Sequence, residues 1–119
     1  MPAPSRLAEL GPGTEGVLPS QMLSEAVGAG WLAAGELRVP PGNVQPASVD
    51  LRLGERAYRI RCSFLPGDRE VERKVKDFVL DELDLRREGA VLETGRPYLV
   101  PLAETLSLPP FVRGKANPK

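Results

Sequence analysis

Three polar side chains stand at alternate positions in the run Gln45-Pro46-Ala47-Ser48-Val49-Asp50-Leu51-Arg52-Leu53-Gly54: Ser48, Asp50 and Arg52. Val49, Leu51 and Leu53 between and beyond them are apolar. A period of two is that of a strand, so an acid and a base share one face. Such a pair can position a neighbouring loop, or it can be a structural pair bonded across to adjacent strands. The second reading is favoured, because charged pairs on strands are commonly cross-strand partners. Ser48 reads as a backbone-bonding strand residue, since no base is at hand to activate its hydroxyl. Glu93 and Glu104 are two further carboxylates beside strands, and structural roles are expected for both. Arg113 and Lys115 read as solvated surface charges.

These residues need a scaffold, and turn chemistry marks it out. Residues 1–16 are rich in Pro and Gly and read as a mobile arm, although Leu7, Leu10 and Leu18 have surface to pack, for instance on a neighbouring subunit. Residues 17–119 read as one domain portion. A short helix begins at Ser20, a plausible N-cap. Met22, Leu23, Ala26 and Val27 form its apolar stripe, and Gly28 and Gly30 end it. Trp31 reads as a core anchor. Residues 38–47 are a Pro/Gly/Asn-rich loop. The strand 48–53 follows, then a tight turn at Gly54-Glu55 and a second strand over 56–65. In that second strand Tyr58, Ile60, Cys62 and Phe64 alternate with polar residues, so the two strands read as a hairpin and Cys62 as an inert buried thiol. Val71, Val75, Phe78 and Val79 predict a short amphipathic helix within 69–80. The charges from Asp68 to Glu88 read as a solvated face. Strand pieces are expected at Leu83 and Leu85, 90–92, 98–102 and 106–108. The pattern implies a mainly β fold with one or two short helices, a barrel or jelly-roll-like sandwich.

Composition excludes several chemistries. The chain has no histidine and one cysteine. A zinc site of the usual N/S kind cannot be assembled from it, and neither can a Ser-His-Asp or Cys-His arrangement. Net charge is zero, so no global field draws nucleic acid or an anionic membrane. No apolar run approaches the roughly 20 residues that span a bilayer. No secretory signal pattern opens the chain, and a cytoplasmic location is expected.

The order of motifs resembles the dCTP deaminase branch of the dUTPase-like family. Pro46-Ala47-Ser48, Asp50-Leu51-Arg52-Leu53-Gly54 resembles that branch's P-A-S-x-D-L-R-L-G strand. Leu92 to Leu102 resembles its strand-turn-strand, and Glu104-Thr105-Leu106-Ser107-Leu108-Pro109 its E-S-L-x-L-P run. Gly114 to Lys119 resembles the lead into the phosphate-binding motif, where Lys119 would match the first basic position. The Pro-rich loop and the Ala-Asn-Pro-Lys ending look most like the longer, two-domain bacterial form.

The resemblance implies a dUTPase-like β-barrel (the β-clip type), incomplete here. It implies a parent that converts dCTP and water to dUTP and ammonia without zinc, feeding dUTP and dTTP synthesis. Mg2+ would accompany the triphosphate, and the assembly would be a homo-trimer. Asp50 and Arg52 would support the site, for instance through Mg2+-bound water, and Lys119 would meet a phosphate as a point charge. The family's two serines, the following Arg and the catalytic Glu would lie past Lys119. This stretch alone is therefore expected to be inactive. Two alternatives stay open: a dUTPase or bifunctional deaminase and diphosphatase, and a non-catalytic β domain for assembly or regulation. Val49-Asp50 lacks the Tyr that precedes the Asp in the former.

Overall fold

A computed structural model describes residues 6–118. The chain divides into two compact units. One is formed by residues up to Leu51 together with those from Glu104 on, and the other by Arg52–Ala103. Short antiparallel strands and few helical turns make up both, so the fold is mainly β.

In the first unit, helix α1 spans Ser20–Gly28. Its Leu23 and Ala26, three residues apart, point inward and are buried. Pro19 occupies the N-cap and no side chain caps the helix, so Ser20 is the first helical residue rather than the cap. The C-terminal end is a Schellman closure. Trp31 N–H reaches Ala26 O at 2.9 Å, Gly30 N–H reaches Val27 O at 3.1 Å, and Gly30 takes φ +85°. A 3-10 helix at Arg6–Glu9 packs against α1, with Leu7 buried and the Arg6 N–H donating to Glu25 Oε2 at 3.2 Å. The leucine expected on a mobile arm is therefore part of this unit's core.

After α1, strand β1 (Leu32–Ala33) pairs with β7 (Thr105–Leu106), Leu32 opposite Leu106. Strands β2 (Val44–Gln45) and β3 (Ser48–Val49) form a hairpin with Gln45 opposite Ser48. Pro46-Ala47 is thus its two-residue turn, and Val44–Gln45 is a short strand inside the stretch 38–47 that was expected to be loop. Ala47 adopts φ +64°, the conformation demanded at the third position of a type II turn.

The second unit is a three-stranded antiparallel sheet in the order β5-β4-β6, with β4 at Arg56–Ile60, β5 at Val79–Asp84 and β6 at Tyr98–Leu99. The expected hairpin of 48–53 with 56–65 does not form: β4 pairs on one side with β5 and on the other with β6. Leu53 makes only an isolated bridge, to Leu102. The register shifts after Arg59, where Arg59 faces Asp81 and Ile60 faces Val79, leaving Leu80 as the extra residue of a bulge. Ala57 and Ile60 are buried although they are three apart, because a central strand is covered on both faces. Strand β4 stops at Ile60 and the chain bends, so Cys62 is exposed rather than buried. The predicted amphipathic helix is one turn, α2 (Val71–Lys74), tightened into a 3-10 turn at Val75–Asp77. Val75 is its buried anchor. Phe78 stacks on Phe64 with centroids 4.9 Å apart. Residues 90–92 form no strand.

Candidate functional site

The segment from Asn43 to Gly54 is built around Asp50. The Asp50 N–H donates to Asn43 O at 2.9 Å, and Asn43 Nδ2 donates back to Asp50 O at 3.3 Å. Gln45 Nε2 donates to Asp50 Oδ2 at 2.8 Å. The hairpin turn at Pro46-Ala47 folds the chain back so that Gln45 and Asp50 meet. The Gln45 bond to the carboxylate and the two backbone bonds with Asn43 hold this loop in one geometry. Ser48 is exposed, opposite Gln45 in the register.

The boundary between the two units falls inside this motif, after Leu51. Ser48 and Asp50 thus belong to the first unit and Arg52 to the second. Arg52 is half-buried, and its carbonyl accepts the Ala103 N–H at 2.8 Å. Two residues on, the Gly54 N–H donates to Pro101 O at 2.7 Å. From Asp50 to Gly54 burial follows the expected period with the faces reversed, whereas Ser48 is exposed and Val49 half-buried. Asp50 and Arg52 are half-buried, whereas Leu51 and Leu53 are 42% and 59% exposed. Asp50 tolerates burial because its oxygen is bonded.

The remaining candidates are spread out. Glu104 is buried in the first unit, 6% exposed. Glu93 is exposed and 3.8 Å from Arg96, and its N–H donates to the Tyr98 hydroxyl at 2.9 Å. Arg113 and Lys115 are exposed. Lys119 lies outside the described residues. Among the described residues no group of three or more His, Cys, Asp or Glu side chains is placed to hold a metal ion, and no helix is long and apolar enough to cross a membrane.

The strongest electrostatic perturbation lies away from this motif, at the end of β5. Arg86 donates from Nε and Nη2 to the Asp84 carboxylate at 2.8–3.2 Å, and its backbone N–H adds a bond at 2.9 Å. These bonds, the side-chain ones first, hold the Asp84 carboxyl well below the usual carboxylate range and raise the Arg86 guanidinium. Arg56 pairs with Glu82 across the sheet and is raised likewise. All four ionic groups are solvent-exposed, so these pairs are surface features.

Sequence reasoning missed Asn43 and Gln45, which were absorbed into a loop. Reading Pro46-Ala47 as a two-residue turn between short strands would have placed Gln45 opposite Ser48 and within reach of Asp50.

No curated protein matches this chain. The family model described as the 2'-deoxycytidine 5'-triphosphate deaminase (DCD) N-terminal domain matches residues 14–119. Among solved structures, the chain is similar to 2'-deoxycytidine 5'-triphosphate deaminase from Agrobacterium tumefaciens, with 46% identity and a TM-score of 0.71. That match covers 79% of this chain and 28% of the Agrobacterium chain, so this chain spans less than a third of that relative's length. The motif around Asp50, the mainly β fold and the match over residues 14–119 lead to one conclusion: the chain belongs to the dCTP deaminase N-terminal domain family.

Proposed function

We propose that this chain is the N-terminal portion of a dCTP deaminase, an enzyme that takes dCTP and water to dUTP and ammonia. The observation that carries the reading is the 46% identity to the Agrobacterium deaminase over most of this chain. Water adds at C4 of the cytosine ring and the amine leaves, so a proton must be moved to the departing nitrogen. By the family resemblance, that proton transfer falls to a carboxylate. The groups that touch the base are supplied by the further polypeptide that makes up the rest of such a relative.

The part played by this chain is support. Asp50, fixed by Gln45 and Asn43, holds the 43–50 loop, and Arg52 with Gly54 ties the next segment to residues 101–103. Lys119 meets a phosphate oxygen. Mg2+ arrives with the triphosphate as the substrate complex, coordinated mainly by phosphate oxygens and water. The working form is a cytoplasmic homo-trimer.

The test is ammonia release and nucleotide chromatography with Mg2+ and dCTP. A form extended past Lys119 should give dUTP and ammonia in equal amounts, and the 119-residue chain should give neither. Release of dUMP and pyrophosphate, or no binding of dCTP by the extended form, would overturn the reading.

A further inference from the structure

Strand β5 is an outer strand of the second unit's sheet, with β4 on one side and no strand on the other among the described residues. At six residues it is the longest strand described. An outer strand presents unpaired N–H and C=O groups, which invite a further strand. Which of its groups face outward follows from the ladder. The Leu85 N–H reaches Glu55 O at 2.8 Å, on the β4 side. Bonding direction alternates along an antiparallel strand. Leu83 and Asp81, opposite Ala57 and Arg59, therefore turn their backbone groups toward β4, and Asp84 and Glu82 turn theirs outward.

The outward Glu82 N–H is already taken: Asp81 Oδ1 accepts it at 2.9 Å. Just past the strand, the Arg86 N–H is taken in the same way by Asp84 Oδ1 at 2.9 Å. Side chains of β5 itself thus occupy donors that an added strand would need. Asp81 stands opposite Arg59 in register, a position where a cross-strand ion pair is common, yet Arg59 Nε has no hydrogen-bond partner among the described residues. Glu82 and Asp84 are paired with Arg56 and Arg86. Asp81 is thus the acid of β5 that serves the edge and makes no ion pair among the described residues.

The strand would otherwise suit its own likeness. Leu80, the bulge residue, is 59% exposed on it. A two-fold axis beside β5 sets the same edge antiparallel to itself, so that outward donors and outward acceptors meet and Leu80 is covered. We propose that Asp81 is an edge guard: by taking the Glu82 N–H it closes β5 against pairing with a second copy of this chain. The inference does not depend on which reaction the parent performs.

The experiment compares Asp81→Val and Asp81→Asn with the unaltered chain. Sedimentation equilibrium over a range of concentrations reads association, and amide exchange at Glu82 reads the edge. Asparagine keeps an acceptor for the N–H and drops the charge, whereas valine drops both. Association of the unaltered chain through other surfaces is the baseline for all three. Asp81→Val should self-associate at least about tenfold more tightly than that baseline, the equivalent of one freed hydrogen bond. Its Glu82 amide should exchange fast when dilute and slowly as the associated form fills. Asp81→Asn should stay at the baseline, with Glu82 exchange as slow as in the unaltered chain. Association of the Val variant that leaves Glu82 exchange fast would put the contact elsewhere and overturn the proposal. So would baseline association in the Val variant, or equal association in both variants, which would assign the effect to charge alone. Should Asp81→Val not fold, Asp81→Ala takes its place with the same readouts and the same outcomes.

Discussion

The Gly54 N–H donates to Pro101 O at 2.7 Å, and a Cβ built on Gly54 would lie 2.7 Å from that same oxygen. The closeness of these two backbones leaves no room for a side chain, which gives the glycine at the end of the motif a steric reason. The atom in the way is a backbone carbonyl, which cannot rotate aside. Gly54→Ala should cost about 1–3 kcal/mol, the usual range for overpacking a tight contact. The shift of the urea midpoint, at unchanged m-value, measures it.

Ala47 sits at φ +64° in the turn between β2 and β3. A left-handed conformation costs a residue with a Cβ about 1 kcal/mol, and glycine avoids that cost. Ala47→Gly should therefore leave stability unchanged or raise it by up to about 1 kcal/mol, in spite of glycine's greater freedom when unfolded. Ala47→Val should lower it. Thermal melts of the two variants against the parent decide the sign.

The bond from Gln45 to Asp50 joins the first strand of the hairpin to the start of the motif. Asp50→Ala removes a carboxylate that accepts this bond and should cost about 1.5–3 kcal/mol. Asp50→Asn keeps an acceptor and should cost less. A double-mutant cycle with Gln45→Ala should show positive coupling between the two positions. Purely additive losses would mean the bond contributes nothing.

The Asp84–Arg86 clamp sets a pH dependence. The folded-state carboxyl is depressed from its ordinary value of 3.8. Its contribution is therefore fully present above that value and drains away as the pH falls through the lower, folded one. Asp84→Asn should lower stability slightly at pH 7, and the gap to the parent should close under strong acid. Both partners face solvent, so molar salt should shrink the difference as well. Denaturation midpoints at several pH values, with and without salt, test both statements.

Cys62 is exposed, although the alternation of its segment placed it inside. A thiol reagent should titrate one group per chain in the native protein, at the rate of a free cysteine. A reaction that waits for denaturant would place the thiol back in the core.

Short-range features were legible in the sequence. Helix α1 and its Gly30 closure depend on residues within one or two turns, and the apolar spacing around Val75 is equally local. Partner choice was not legible. The motif strand and β4 look like a hairpin because Gly54-Glu55 is a plausible turn, yet β4 bonds to β5 and β6, a choice decided by packing across distant segments. The bulge at Leu80 has no local signature, and it breaks the simple period used to place side chains. At the site, the trio Ser48, Asp50 and Arg52 was visible because alternation is periodic. Which side of that strand would be covered was not, since Asp50 can sit inward only once Gln45 is folded onto it.

The carbonyl of Arg52 and the amide of Ala103 are joined at 2.8 Å, so the second unit begins and ends at one point. The first unit is interrupted by it in sequence, with Ala33 and Thr105 bonded 72 positions apart. On the ribosome, the second unit is fully synthesised while the first still lacks its last strand. The first unit must therefore finish later, with β1 held open until its distant mate has been translated.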